Sequence, residues 1–458
     1  MTVPDPAARV HFFRELDGDR TGLAQIGDGF VKLSFFGFDT LVEHSDDQPV
    51  HVVMDDGSVL SLHQNQRVPV SVVLGDQGEP RVSRAEVVSR LALIGSDPWR
   101  ADQPVRCVSF CCPDADHLFK HVEKQRRIIQ AGSLSDDDLR LLYVSAGEAI
   151  YGADHVIKSR LGDPVPQIDG IRFWIGFPGG CPLDDVRQRL TRYLSFLTFI
   201  ANRRIAPQSV CMVKAMAQGA FQPEHKVVWS WPAPGPQSEP CPVWRAPFVA
   251  QEDDDLAAMA QGLSCWIERA DTWQAACVRM TACLGSTEEI VSERLLAAWR
   301  WFERLPDTKE RKVLDREAIT PLVDAAFAAA QENGLDISRE RIDGKLQELR
   351  NESFRQVVHR LVRSAAASAG LGDIASDLQT DIIAGRRLRG DAAHGRLAKP
   401  GQQNAVQLVR SASATKAFCF LFTARDLPLA PTRRERLRHH PLVADYSRLL
   451  AANRQPSP

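Results

Sequence analysis

No stretch of the chain approaches the ~20 consecutive apolar residues that a membrane-spanning helix requires, so no membrane span is expected. An excess of either charge is also missing. The 56 lysines and arginines stand against 58 aspartates and glutamates, a net charge of −2, so attraction to nucleic acid or to an acidic membrane has to be local. The opening "MTVPDPAARVHFFREL" has an early aspartate, two prolines and no apolar core, and no secretory signal is expected. A serine-hydrolase elbow, a protein-kinase signature and a zinc-protease helix are all lacking, as are a phosphate-loop lysine and a dinucleotide fingerprint. The common enzyme classes therefore have little support, and no internal repeat stands out.

What is present describes a folded protein of more than one domain. A chain of 458 residues exceeds what one hydrophobic core supports, and 44% hydrophobic with 25% charged residues is a globular composition. Ten cysteines are scattered among apolar neighbours, which fits reduced, buried thiols in a cytosolic protein better than a disulfide framework. Residues ~20–112 read as an antiparallel β domain through "FVKLSFFGF", "PVHVVMDDGSVLSL", "VPVSVVL" and "VRCVSFCC". Asp56-Gly57 marks a hairpin turn there, because glycine accepts the positive φ of a tight turn.

From ~115 to 250 the pattern is mixed, with a helix in "DDVRQRLTRYLSFLTFIANRR" flanked by the strand-like "GIRFWIGF", "SVCMV" and "KVVWSW". The proline-rich "PAPGPQSEPCP", residues 232–242, reads as a linker. Helical periodicity then dominates, mainly over ~286–304, ~315–333, ~338–369, ~373–394 and ~402–425. The expected architecture is an α+β multidomain protein: a β-rich N-terminal region over 1–231, divisible near 115, a linker at 232–254, an all-α helical bundle at 255–430 and a basic tail at 431–458.

Several chemical candidates have simpler explanations. "CVSFCCPDADHLFKH" gathers Cys107, Cys111, Cys112, His117 and His121, yet the first two cysteines sit in an apparent strand and no second ligand pair follows, so buried thiols are expected rather than a metal. "FPGGCPLDD" places Gly179, Gly180 and Cys181 ahead of a helix, a pattern that a loop entering a helix accounts for. Trp229, Trp231 and Trp244 flank the linker and are expected to pack between domains rather than stack a ligand.

One stretch is left, "GRRLRGDAAHGRL", residues 385–397. Arg389 and His394 form R-x4-H there, and Arg387 with His394 forms R-x6-H; Arg434 and His439 give a second R-x4-H in the tail. Such spacings recur by chance, so context decides. The 389–394 pair lies near the end of a bundle helix, with the helix-stopping Gly395 directly after the histidine. Arg386, Arg387, Arg396 and Lys399 surround it and concentrate positive charge where an RNA phosphate can dock. Residues five apart on a helix differ by ~140° in direction, so the two side chains converge only if the helix ends or loosens, for which Gly390 offers a place. Imidazole exchanges protons near neutral pH and arginine stabilises extra charge on a phosphorane, a combination suited to metal-independent RNA cleavage by the 2′-hydroxyl. A helix-end basic cluster favoured by the helix dipole alone is the competing explanation.

"LRGDAAHG" after a long helix, the apolar helix "QQNAVQLVRSASATKAFCFLF" that follows, and the β-rich N-terminal half together resemble the HEPN superfamily, and within it the ApeA-like proteins of prokaryotic anti-phage defence. The resemblance covers residues 286–430 best. It implies a cytoplasmic homodimer whose helical domains bring two R-x4-6-H motifs to one ribonuclease cleft, with an N-terminal region that responds to a phage-derived trigger during abortive infection. It implies no metal, cofactor or membrane. His394 would be the general acid/base, Arg389 the phosphate stabiliser and Asp391 an orienter of His394. Family members carry a polar residue, most often asparagine, directly after the arginine; here Gly390 stands there and Asp391 follows. The decoy "LRNESFRQVVH" has the favoured Arg350-Asn351, but His359 lies too far on, so a solvated helix face is expected. A non-catalytic RNA- or nucleotide-binding regulator and a dimerising scaffold stay open as alternatives.

Overall fold

In the structure, a computed structural model, the residues described are 9–16, 20–27, 29–36, 49–74, 80–130, 135–158, 167–215, 223–229, 231, 240–286, 290–394 and 402–454. The chain divides into two compact units, one of Met1–Leu194, Ile205–Pro234 and Ala250–Ile267, the other of Ser195–Arg204, Gly235–Val249 and Glu268–Pro458. An N-terminal β-rich region is followed by a C-terminal helical region, an α+β multidomain fold.

In the first unit, β1 (Arg9–Glu15), β2 (Thr21–Gly27) and β3 (Phe30–Phe36) form one antiparallel meander, and β4 (Val50–Met54), β5 (Val59–Leu74) and β6 (Pro80–Gly95) a second. Pairing of β1 with β4 and of β3 with β6 closes the two into a six-stranded barrel. Alternation drives this closure, since β4 buries every second residue and sends Val50, Val52 and Met54 inward. Those residues join Phe13, Leu33, Phe35, Leu60 and Leu62 in one core, where the Phe13 and Phe35 rings meet edge-on at 5.0 Å. Gly57 turns the β4–β5 hairpin with φ of +81°, and the Met54 amide donates to the Ser58 carbonyl at 2.8 Å, as the Asp56-Gly57 pair predicts.

The second meander outruns the barrel. β6 pairs through Leu91–Ile94 with the last strand of an extended sheet built from β7 (Val105–Cys111), β8 (Arg140–Ala146), β9 (Ala149–Lys158), β10 (Gln167–Cys181), β11 (Gln208–Lys214) and β12 (Glu224–Trp229). The order from the barrel outward is β6-β12-β11-β7-β10-β9-β8. Between β7 and β8 lie the short helices α1 (Pro113–Asp116), α2 (Val122–Gln130) and α3 (Asp136–Leu139). Helix α4 (Leu183–Ala201) follows β10 and presents Tyr193 to Phe110, Phe173 and Tyr151 at ring distances of 5.6 to 6.0 Å. Helix α5 (Asp253–Glu268) starts on three aspartates, the sign a helix N-terminus favours. Of the expected linker, 232–239 lie outside the described residues, while Cys241, Phe248 and Val249 are buried.

The second unit contains α6 (Ala270–Leu284), α7 (Val291–Phe302), α8 (Arg316–Glu332), α9 (Arg339–Gln347), α10 (Phe354–Ser368), α11 (Ala375–Ala393), α12 (Gln402–Ala424), α13 (Pro431–Arg436) and α14 (Pro441–Arg454). Helix α12 is central. It is buried on every side from Phe418 to Phe422, as a helix that is apolar all round must be. The run expected as one helix over 338–369 is two, because Ser353 and Gln356 close a capping box that starts α10 afresh. Residues 431–454, read from the sequence as part of a basic tail, form α13 and α14 and bury Leu437, Val443 and Tyr446.

Three buried histidines make the protein acid-sensitive. Burial pushes His63 and His155 down to about 4 and His440, stacked on Phe420 at 3.6 Å, down to about 3. Below the ordinary imidazole value of ~6.5 the unfolded chain takes up protons that the folded chain refuses, so stability falls with pH between ~6.5 and 4. Between pH 7.5 and 5 the loss is up to about 2 kcal/mol per histidine, read as a falling Tm in circular-dichroism melts. His440→Leu should flatten that dependence; an unchanged slope would show that His440 contributes nothing to it.

Candidate functional site

Helix α11 buries Leu378, Asp381, Ile382 and Gly385, a spacing that defines one inward face. Gly385 allows close approach, since a Cβ there would stand 3.1 Å from both Ser411 Cβ and Trp299 Nε1. The same line, continued one turn, reaches Arg389. Its guanidinium therefore turns toward the bundle and pairs at 2.6 Å with Glu303, the residue that caps the C-terminus of α7. Both side chains are about two-fifths exposed, 42% and 41%, so the pair is accessible to a competing anion.

The helix does not loosen at Gly390. It stays α-helical through Ala393, and His394 is the C-cap, with φ −96° and ψ 10°. A Cβ on Gly390 would meet nothing within 4 Å, so the glycine neither permits a close approach nor interrupts the helix. The expected convergence inside one chain is accordingly not seen: Arg389 faces the bundle, whereas His394 is exposed. No hydrogen bond or ion pair joins Arg389, Asp391 and His394 among the described residues, and the imidazole of His394 has no partner there. Asp391, half-buried, makes no hydrogen bond to the histidine it was expected to orient. Arg387 is exposed, and Arg386 stacks its guanidinium on Phe354 at 4.4 Å. Arg396 and Lys399, together with Gly395, lie outside the described residues.

Beneath this helix end is a polar network with no counterpart in the sequence reading. The Asp381 carboxylate, 1% exposed, accepts from Arg410 Nη2 at 2.9 Å, from the Tyr446 hydroxyl at 2.8 Å and from Gln407 Nε2 at 3.1 Å. Ser411 donates to the Asp381 carbonyl at 2.9 Å. Burial beside that carboxylate drives the Tyr446 phenol far above its ordinary value and holds it protonated as a donor. The network ties α11 to α12 and α14, and so fixes the helix that carries Arg389.

The rival pairs are spent on structure. Arg434 donates to the Ser368 carbonyl at 3.0 Å, and His439 lies 6.1 Å from Trp244. His359 is exposed and held by Gln379 at 3.0 Å, as a solvated face requires. Cys181 and Cys107 are each pushed up to about 11 by burial, which disfavours the thiolate form. All ten cysteines are free thiols, and among the described residues no His, Cys, Asp and Glu cluster has the makings of a metal site. Trp229 and Trp231 pack edge-on at 5.7 Å, and Trp244 is half-exposed under Arg245. Among those residues, too, no helix is long and apolar enough to cross a membrane. Compared with the known protein families, with curated proteins and with solved structures, the chain matches none.

Proposed function

We propose that the chain is a metal-independent endoribonuclease of the HEPN, ApeA-like kind, working in the cytoplasm as a homodimer in anti-phage defence by abortive infection. One observation carries the reading: an exposed imidazole at the end of a bundle helix, without a partner among the described residues, five residues after an arginine whose ion pair with Glu303 is open to solvent. In the reaction one His394 takes the proton of an RNA 2′-hydroxyl as that oxygen bonds to the adjacent phosphorus. Arg389 stabilises the charge that gathers on the phosphorane, and the P–O5′ bond breaks as a second imidazole protonates the leaving oxygen. The ends left are a 2′,3′-cyclic phosphate and a 5′-hydroxyl. Because Arg389 and His394 of one chain diverge, the reaction draws its arginine and histidines from two copies. The barrel-containing N-terminal region would receive the phage-derived trigger.

The Arg389–Glu303 pair favours a second reading, a non-catalytic RNA-binding regulator in which the guanidinium is never released to a reacting phosphate. Purified protein incubated with single-stranded RNA in excess EDTA separates the two. Cleavage that persists in EDTA and leaves cyclic phosphate ends supports the nuclease, and Glu303→Gln should raise its rate by freeing Arg389. RNA retained intact on a filter, in wild type and Glu303→Gln alike, supports the regulator.

A further inference from the structure

Helices α6 and α7, with Ser286 just beyond α6, border an open concavity of about 180 Å³ whose polar rim is Arg279, Ser286, Glu293 and Arg300. Neither arginine has an ion-pair partner among the described residues, whereas Arg339, Arg360 and Arg410 in the same unit each hold a carboxylate at 2.6 to 2.9 Å. Glu293 lines the cavity too, beyond ion-pair distance of both guanidiniums. Two unpaired guanidiniums around one concavity focus positive potential, and their planar forks match the oxygens of a phosphate. A carboxylate on the same rim suits a ligand that also brings hydroxyl groups, as a ribose does. The volume is short of the ~300 Å³ of a site for a whole small molecule, so it holds one phosphate and its sugar rather than a free nucleotide.

The position connects the cavity to the site above. Glu293, Ala297 and Arg300 lie on one face of α7, and Glu303, the partner of Arg389, follows Arg300 by three residues, about one turn along the same face. We propose that Arg279 and Arg300 form a phosphate subsite for single-stranded RNA, which then runs along α7 to Arg389. This rests on the reading of Arg389 and His394 as an RNA-facing site, and it gives that site a direction of strand entry. Glu293 accepts the ribose 2′-hydroxyl and so sets a preference for RNA over DNA.

The test uses the full chain carrying His394→Ala, so that RNA stays whole, and fluorescence anisotropy with a labelled single-stranded RNA and the DNA of the same sequence. Adding Arg279→Ala and Arg300→Ala together should weaken RNA binding by about tenfold or more and reduce the slope of log affinity against log salt by about 1.4, the value for two phosphates at ~0.7 each. Glu293→Gln should narrow the preference for RNA over DNA. Both arginines are exposed, so melting temperatures should not move. Unchanged affinity and salt slope in the double variant, in a protein that binds RNA, overturns the subsite and leaves the nuclease reading intact. Arginine-dependent binding with no cleavage by the wild type keeps the subsite and overturns the nuclease. No RNA binding by the wild type overturns both.

Discussion

Replacing His394 by alanine should lower RNA cleavage by about 10²-fold or more, the contribution of a positioned general acid/base, and leave thermal melting unchanged. The stability half of that expectation follows from the geometry. The imidazole is exposed and has no partner among the described residues, so its removal forfeits no packing and at most ~0.3–1 kcal/mol of interaction with the helix C-terminus. Arg389→Ala should lose a similar fraction of activity. It also releases Glu303, but both partners are about two-fifths exposed, so the stability change stays below ~1 kcal/mol. Because α11 runs unbroken past Gly390, one chain points its arginine and its histidine in different directions. A site that takes one imidazole from each of two copies therefore predicts a dominant effect: mixing wild-type chains with an excess of His394→Ala chains should lower cleavage, because a mixed pair has a single imidazole. Cleavage by His394→Ala at the wild-type rate would remove the catalytic role of this residue.

What the sequence made legible was local. The Asp56-Gly57 turn, the apolar α12 and the charge-started α4 and α5 each carry their signal within one element, and the structure contains all of them. The barrel closure was not legible, since β1–β4 and β3–β6 pairings join residues far apart in sequence and leave no local mark. One missed feature did have a signal: Ser353 with Gln356 three residues later is a capping box, and it splits the helix expected over 338–369. The tail misled by composition, its arginines masking the spacing of Val443, Tyr446 and Leu450 that buries α14. At the candidate site the sequence displayed the exposed half, His394 and its basic neighbours. The half turned inward, Arg389 on Glu303 and Asp381 with its donors, depends on tertiary partners that no spacing rule exposes. Gly390 was expected to loosen α11, yet the packing of Asp381, Gly385 and Arg389 on one face outweighs the ~0.5–1 kcal/mol by which a glycine weakens a helix.

Asp381→Ala should cost about 3–5 kcal/mol, the range for breaking a buried ion pair by removing one partner. The loss is large because the carboxylate serves three donors at once. Without it Arg410, whose Nε is already buried and unpaired, and the fully buried Tyr446 hydroxyl face each other with no acceptor between them. Tyr446→Phe removes a single donor and leaves Asp381 satisfied by Arg410 and Gln407, so it should cost only ~1 kcal/mol. Denaturant titrations of the single and paired variants measure the coupling directly, and Asp381 with Arg410 should be strongly non-additive. The two losses also separate structure from chemistry on one helix. Asp381 lies two turns before Arg389 on the face that seats it, so Asp381→Ala should lower stability and cleavage together, whereas His394→Ala lowers cleavage alone. A stability loss under ~1 kcal/mol for Asp381→Ala would mean that the network does not hold α11 in place, and the orientation of Arg389 would then have to come from Glu303 alone.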